Sequence, residues 1–252
     1  MHRTPSLTQT LVAPGSSTIV SNWTEKRRAA QTTTRRMESF PHSVFAPISY
    51  EPGYAYPLIV WLHGSDSSEL ELQQVMPLVS VRNFVGIAPR GTRRTSKNRR
   101  VFGWRHTAGE VADACQQVRE CLDIARNRFH VHPERIFVAG RCDGGTMALR
   151  VGMEHPELFA GAISLGGRVP RGGNAFRRIN AARRLPLMLS VSPTAQEFTT
   201  QQVMDDLRLL HCGGFSLSLR LYPEGQTLTD TMFADMNVWL MESFCPTVVS
   251  AS

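Results

Sequence analysis

Residues 136–153 read IFVAGRCDGGTMALRVGM. The run Ile136–Ala139 is apolar without alternation, as expected of a strand covered on both faces. Gly140-Arg141-Cys142-Asp143-Gly144-Gly145 follows, and a helical pattern runs from Gly145 to about Met153. A strand that turns into a helix through G-x-C-x-G-G has the form of a nucleophile elbow, a tight turn that lifts one side chain onto a helix N-terminus above a sheet. The glycines answer a steric need. The middle residue takes a strained conformation, and a Cβ on its neighbours would meet strand and helix.

The same alternation extends on both sides. Short apolar runs bounded by Gly, Pro or Ser lie at Leu58–Leu62, Phe84–Ala88, Ala160–Leu165, Leu185–Val191 and Leu217–Leu221. Helical patterns lie between them. Over 107–129 the residues Val111, Ala114, Val118, Leu122, Ala125 and Phe129 recur at three- and four-residue spacing, with Thr107 as N-cap and Glu110 completing a capping box. Two more helices are predicted from Thr200 to about Leu210 and from Thr229 to about Phe244. Strands alternating with helices predict an α/β, doubly wound, mostly parallel sheet with helices on both faces, in a single domain over 41–246. Residues 1–40, rich in Ser, Thr and Arg, are expected to form a poorly ordered arm, and 247–252 a tail.

With 252 residues and 42% hydrophobic content the chain can bury a sizeable core, which excludes a wholly disordered or collagen-like protein. No apolar run approaches the roughly 20 residues of a membrane-spanning helix. The first residues lack the apolar core of a secretory signal, so a cytoplasmic setting is expected. Five cysteines without a CxxC pair argue against a disulfide framework and a zinc site. The net charge of +7 is local. Arg90, Arg93, Arg94, Lys97, Arg99, Arg100 and Arg105 crowd one stretch, and Arg168, Arg171, Arg177, Arg178, Arg183 and Arg184 another, neither containing an acidic residue. Both follow predicted strands, so both are expected as loops at the carboxyl edge of the sheet, where ligands bind in open α/β folds. An anion-binding rim made of Arg90, Arg93, Arg94, Arg99, Arg100, Arg105, Arg168 and Arg171 follows as an expectation.

At LIVWLHG (58–64), HVHPERIFVAG leading into the elbow, GGTMALR and EHPELFAGAISLGG after it, and YPEGQTLTDTMFADMNVWL near the end, the chain resembles α/β-hydrolases of the carboxylesterase and phospholipase-like esterase type, over roughly 44–245. The resemblance implies the α/β-hydrolase fold and hydrolysis of small-molecule carboxylic esters without metal or organic cofactor. It also implies a Ser-Asp-His triad, from which this sequence departs at all three positions. Cys142 stands for the serine, Gln196 with Glu197 beside it for the aspartate, and Gln226 for the histidine. The oxyanion donors implied are the backbone N–H groups of Asp143 and of Gly64 or Ser65.

Gln226 changes the chemistry most. A nucleophile's proton must go to a base titrating near neutral pH, which later protonates the leaving group, and a neutral amide does neither. Loss of the triad base alone costs about 10⁶ in turnover in a serine protease. A cysteine at a helix N-terminus can supply some thiolate unaided, so slow acylation that stalls is expected. His63 of the HG turn is expected to orient that turn, and His155 and His211, at helix ends, to serve structure or solvent; His106, His63 and, if burial raised its pKa, an otherwise exposed loop Glu224 are the remaining candidates for a base. Three functions follow: an impaired or inactive hydrolase homologue that binds an anionic ligand or partner, a divergent hydrolase or acyltransferase using Cys142, and nucleic-acid binding along the arginine-rich edge. Few aromatics interleave there (Phe102, Trp104, Phe176), which gives base stacking little support.

Overall fold

The computed structural model describes residues 40–96, 99–172, 175–192, 199–223 and 229–244. The expected arm, Phe40 apart, and the expected tail lie outside them. In chain order the described residues form β1 (His42–Phe45), β2 (Tyr56–Leu62), α1 (Leu72–Val79), β3 (Val85–Pro89), β4 (Thr92–Ser96) and β5 (Arg99–Gly103). Then come α2 (Ala108–Arg128), β6 (Val131–Arg141), α3 (Asp143–Glu154), β7 (Gly161–Leu165), α4 (Ile179–Ala182), β8 (Leu187–Val191), α5 (Thr200–Cys212), β9 (Leu217–Leu221) and α6 (Asp230–Phe244).

Seven strands make one sheet in the order β1-β3-β2-β6-β7-β8-β9. Every neighbouring pair is parallel except β1 with β3. All six strands predicted from apolar runs are present. The antiparallel edge strand β1 was not predicted, because HSVF is too short to carry a pattern. Along β2 the pleat sends successive side chains to opposite layers, and both are apolar. Leu58, Val60 and Leu62 join a core built with α2, α3 and α5, whereas Ile59 and Trp61 join a second core with α1 and α6.

Helix α2 starts where the sequence placed it, with Thr107 Oγ1 accepting from the Glu110 N–H at 3.4 Å. The Glu110 carboxylate takes the Thr107 hydroxyl at 2.9 Å, so the box closes between side chains and not back onto the cap's N–H. Helix α1 was missed; it is eight residues long, and Pro77 inside it obscured the pattern.

The stretch 90–105 corrects the expectation of a loop. It contains a β-hairpin in which β4 and β5 pair antiparallel from Thr92↔Gly103 to Ser96↔Arg99. Arginine has no turn signature, so charge alone concealed the two strands.

Phe233 of α6 is fully buried, with its ring centroid 6.4 Å from that of Trp61 on β2. Phe233→Ala is therefore expected to lower the unfolding free energy by about 3–5 kcal/mol in urea titration. A loss below about 1 kcal/mol would show that α6 does not close the second layer.

Candidate active site

Strand β6 delivers Arg141 and Cys142 to the carboxyl edge in the middle of the sheet, between β2 and β7. Cys142 is the N-cap residue of α3 and stands at φ 49°, ψ −122°, a conformation that side-chain-bearing residues rarely adopt. The backbone is held there from both sides. Its N–H donates to the Leu165 carbonyl at 2.9 Å, and its carbonyl accepts from the Thr146 N–H at 3.0 Å. Glycine is required at both flanks. A Cβ at position 140 would lie 2.6 Å from the Leu62 carbonyl oxygen, and one at 144 would collide with the Leu62 and His63 carbonyl oxygens. Cys142 is neither sealed in the core nor fully open to solvent.

Behind the elbow lies a buried polar network. Glu71 accepts from Trp61 Nε1 at 3.0 Å, from the Gly64 N–H at 3.3 Å and from Arg141 Nη2 at 3.2 Å. This corrects the expected oxyanion hole in one respect, because the Gly64 amide is already directed at a carboxylate. The Ser65 hydroxyl donates to Asp143 Oδ2 at 2.7 Å, joining the turn after β2 to the first residue of α3. The sequence reading missed Glu71, a buried glutamate that sits beside an exposed Leu70.

His63 is fully buried. Its Nδ1 donates to the Gly64 carbonyl at 2.8 Å, and its Nε2 accepts from the Gly91 N–H at 2.9 Å, so both nitrogens are committed. Burial holds its pKa below the ordinary 6.5. Trp104 Nε1 donates to the His63 carbonyl at 2.9 Å, so the chain on either side of the hairpin is tied to this turn. His155 caps the far end of α3, roughly 18 Å along a twelve-residue helix. His211 lies at the end of α5, and His106 is exposed.

The arginines tell a different story from their sequence. Arg90 forms a two-point pair with the buried Glu69, its Nε 2.6 Å from Oε2, and its guanidinium lies 4.7 Å from the Phe102 ring centroid. Arg168 and Arg171 both reach Asp206 of α5, at 3.5 Å and, for Arg171 Nε, 3.0 Å. Arg105 is 3.9 Å from Glu110. Acidic residues thus meet four of the eight rim arginines, three of them from distant parts of the chain. Gln196, Glu197, Glu224 and Gln226 lie outside the described residues, as do the side chains of Arg93, Arg94, Arg99 and Arg100. The strands leading to those segments, β8 and β9, end at the same carboxyl edge as the elbow.

A parallel sheet with its antiparallel first strand, helices on both faces and a strained residue between the central strand and its helix define an α/β-hydrolase fold. Solved structures agree. A carboxylesterase from Bacillus cereus superposes with a TM-score of 0.64 over 82% of this chain and 96% of its own, at 16% identity. Acyl-protein thioesterase 2 from Zea mays gives 0.63 over 81% and 99%, also at 16% identity. Residues 33–204 match the family model described as "Esterase: Putative esterase", and the chain belongs to that family. A curated relative, "Putative esterase NocK" of Nocardia uniformis subsp. tsuyamanensis, is 29% identical over 121 residues. That match takes in 45% of this chain and 33% of the relative's length. No helix among the described residues is long and apolar enough to cross a membrane.

The locked imidazole gives a stability signature. Because the folded pKa of His63 lies below 6.5, the unfolded chain binds more protons once the pH falls under that value. Stability is complete above about pH 6.5 and declines below it, by up to about 1.4 kcal/mol per pH unit from this group. Urea titrations between about pH 7 and pH 5 should show that slope, and His63→Gln should flatten it. An unchanged slope in the variant would mean that the fold leaves the proton affinity of this imidazole as it is in the unfolded chain.

Proposed function

We propose that this chain is a carboxylesterase-like α/β-hydrolase with a degenerate triad of Cys142, Gln196 and Gln226, impaired in turnover, whose arginine-bearing sheet edge takes an anionic ligand or partner. The observation that carries the reading is the elbow. Cys142 keeps the strained backbone of a nucleophile at the head of an intact helix, while the sequence offers glutamine where the family has its base. Support for the stalled half of the cycle comes from the histidines. His63 has both nitrogens engaged, and His155 and His211 belong to the ends of helices.

The chemistry divides into two halves. Attack of the Cys142 thiolate on an ester carbonyl forms an S–C bond and breaks the C–O bond. A leaving group that is stable as an anion departs without a proton. Hydrolysis of the resulting thioester then needs a water molecule to give up its proton, and an amide at 226 does not accept it. The oxyanion would be met by the backbone N–H groups of Asp143 and Ser65, since that of Gly64 faces Glu71. Arg90, Arg168 and Arg171 are paired with carboxylates and contribute little net charge to anion binding.

The second reading is a divergent hydrolase or acyltransferase using Cys142, favoured by the preserved strain at that residue. One assay separates the two. With a p-nitrophenyl ester, release of at most about one equivalent per chain followed by a halt is expected, and Cys142→Ala should abolish it. Sustained turnover that depends on Cys142 would overturn the impaired reading in favour of the second.

Restoring the chemistry is the converse test. Cys142→Ser combined with Gln226→His is expected to raise steady-state ester hydrolysis well above that of the parent chain. A folded double variant with no gain would show that position 226 is not where the base is missing.

A further inference from the structure

The opposite end of α3 gathers metal-ligating side chains that the elbow does not use. Cys115 of α2 is buried, and its Sγ lies 3.8 Å from Oε2 of Glu154, the last residue of α3. A ring nitrogen of His155, the C-cap residue, completes a group whose three ligand atoms all lie within 4.8 Å of one another. Glu157 Oε1 stands 3.6 Å from His155 Nδ1. Thiolate, imidazole and carboxylate bind zinc at about 2.0–2.3 Å, so tetrahedral ligands sit about 3.3–3.7 Å apart. The cluster is therefore within a small side-chain adjustment of a coordination sphere.

A cation already rests against the imidazole of this group. Arg119 Nη2 lies 3.1 Å from His155 Nδ1 and 3.4 Å from Nε2. Among the described residues no carboxylate forms an ion pair with Arg119, so its charge rests against the imidazole. The side chain is exposed and can swing into water. The C-terminal end of a helix carries partial negative charge, which favours a cation here.

We propose that Cys115, Glu154 and His155 form a binding site for a zinc-class divalent ion, with Glu157 or water as fourth ligand, which fastens α2 to the C-terminus of α3. Without metal the thiol keeps its proton and directs it at Glu154 Oε2. Binding forms the metal–sulfur bond and releases that proton to solvent. Thiolate and Glu154 together neutralise the ion, and Arg119 withdraws. The cysteine spacing along the chain gave no hint of this, because the ligands come from two helices.

Cobalt(II) titration of the full chain tests the site through the near-ultraviolet thiolate-to-cobalt charge-transfer band, which needs no activity. One equivalent should develop the band, and zinc should bleach it. Cys115→Ser should remove it, and His155→Ala should weaken binding by about tenfold or more. Arg119→Ala, an exposed change that leaves the core intact, should tighten binding severalfold by removing the competing cation. No band at stoichiometric cobalt, a band that survives Cys115→Ser, or unchanged affinity in Arg119→Ala would each overturn the proposal.

Discussion

Helix α3 begins so close to strand β2 that there is no room for a side chain between them. The carbonyl oxygens of Leu62 and His63 fill the space a Cβ on residue 144 would need, and the Leu62 oxygen also presses on residue 140. That contact leaves the chain one way to pass from strand to helix, with residue 142 at positive φ. Such a backbone costs about 1–3 kcal/mol and persists only where the surroundings over-determine it. Here they do. Residues 144, 145 and 147–153 of α3 are all buried, and two backbone hydrogen bonds clamp Cys142 itself. The backbone geometry of the site is thus set by core packing.

The polar network beneath the elbow serves the same closeness. A carboxylate removed from water is tolerated when its lone pairs are filled, and Glu71 receives an indole N–H, a backbone N–H and a guanidinium. His63 does the equivalent on the other side of the turn, joining the Gly64 carbonyl to the Gly91 N–H that leads into the hairpin. Arg90 then pins the hairpin through Glu69 and the Phe102 ring. Two buried glutamates and one buried imidazole thus tie β2, the turn before α1, the elbow and the hairpin into one rigid edge.

What the sequence made legible follows from range. Strands buried on both faces declare themselves as apolar runs, and the glycines of the elbow declare a steric conflict that only a strand–helix turn creates. Helix α2 showed its stripe and its Thr107 cap for the same reason, since both are local. Glu69, Leu70 and Glu71 show the limit. Nothing in the local sequence marks these two glutamates as buried, yet they are, and Leu70 between them is 61% exposed. Their partners Arg90 and Arg141 lie too far along the chain for any local pattern to pair them. The same holds for Asp206, which meets Arg168 and Arg171 from a different helix. Charge counted along the chain therefore overstated the free positive charge of the rim.

Helix α3 also sets opposite electrostatic demands at its two ends. Its N-terminus, with backbone N–H groups directed outward, favours the developing negative charge of a thiolate or oxyanion. Its C-terminus favours cations, and two arginines come near it: Arg119 on the His155 ring and Arg178 on the Glu154 carbonyl at 2.8 Å. The dipole lowers the cost of charge at the elbow but moves no proton. Acylation of a thiolate by an ester with a good leaving group asks only for the former, whereas release of the acyl group by water asks for the latter. A chain with glutamine in place of the base would therefore retain the first step through its packing and lose the second through its chemistry.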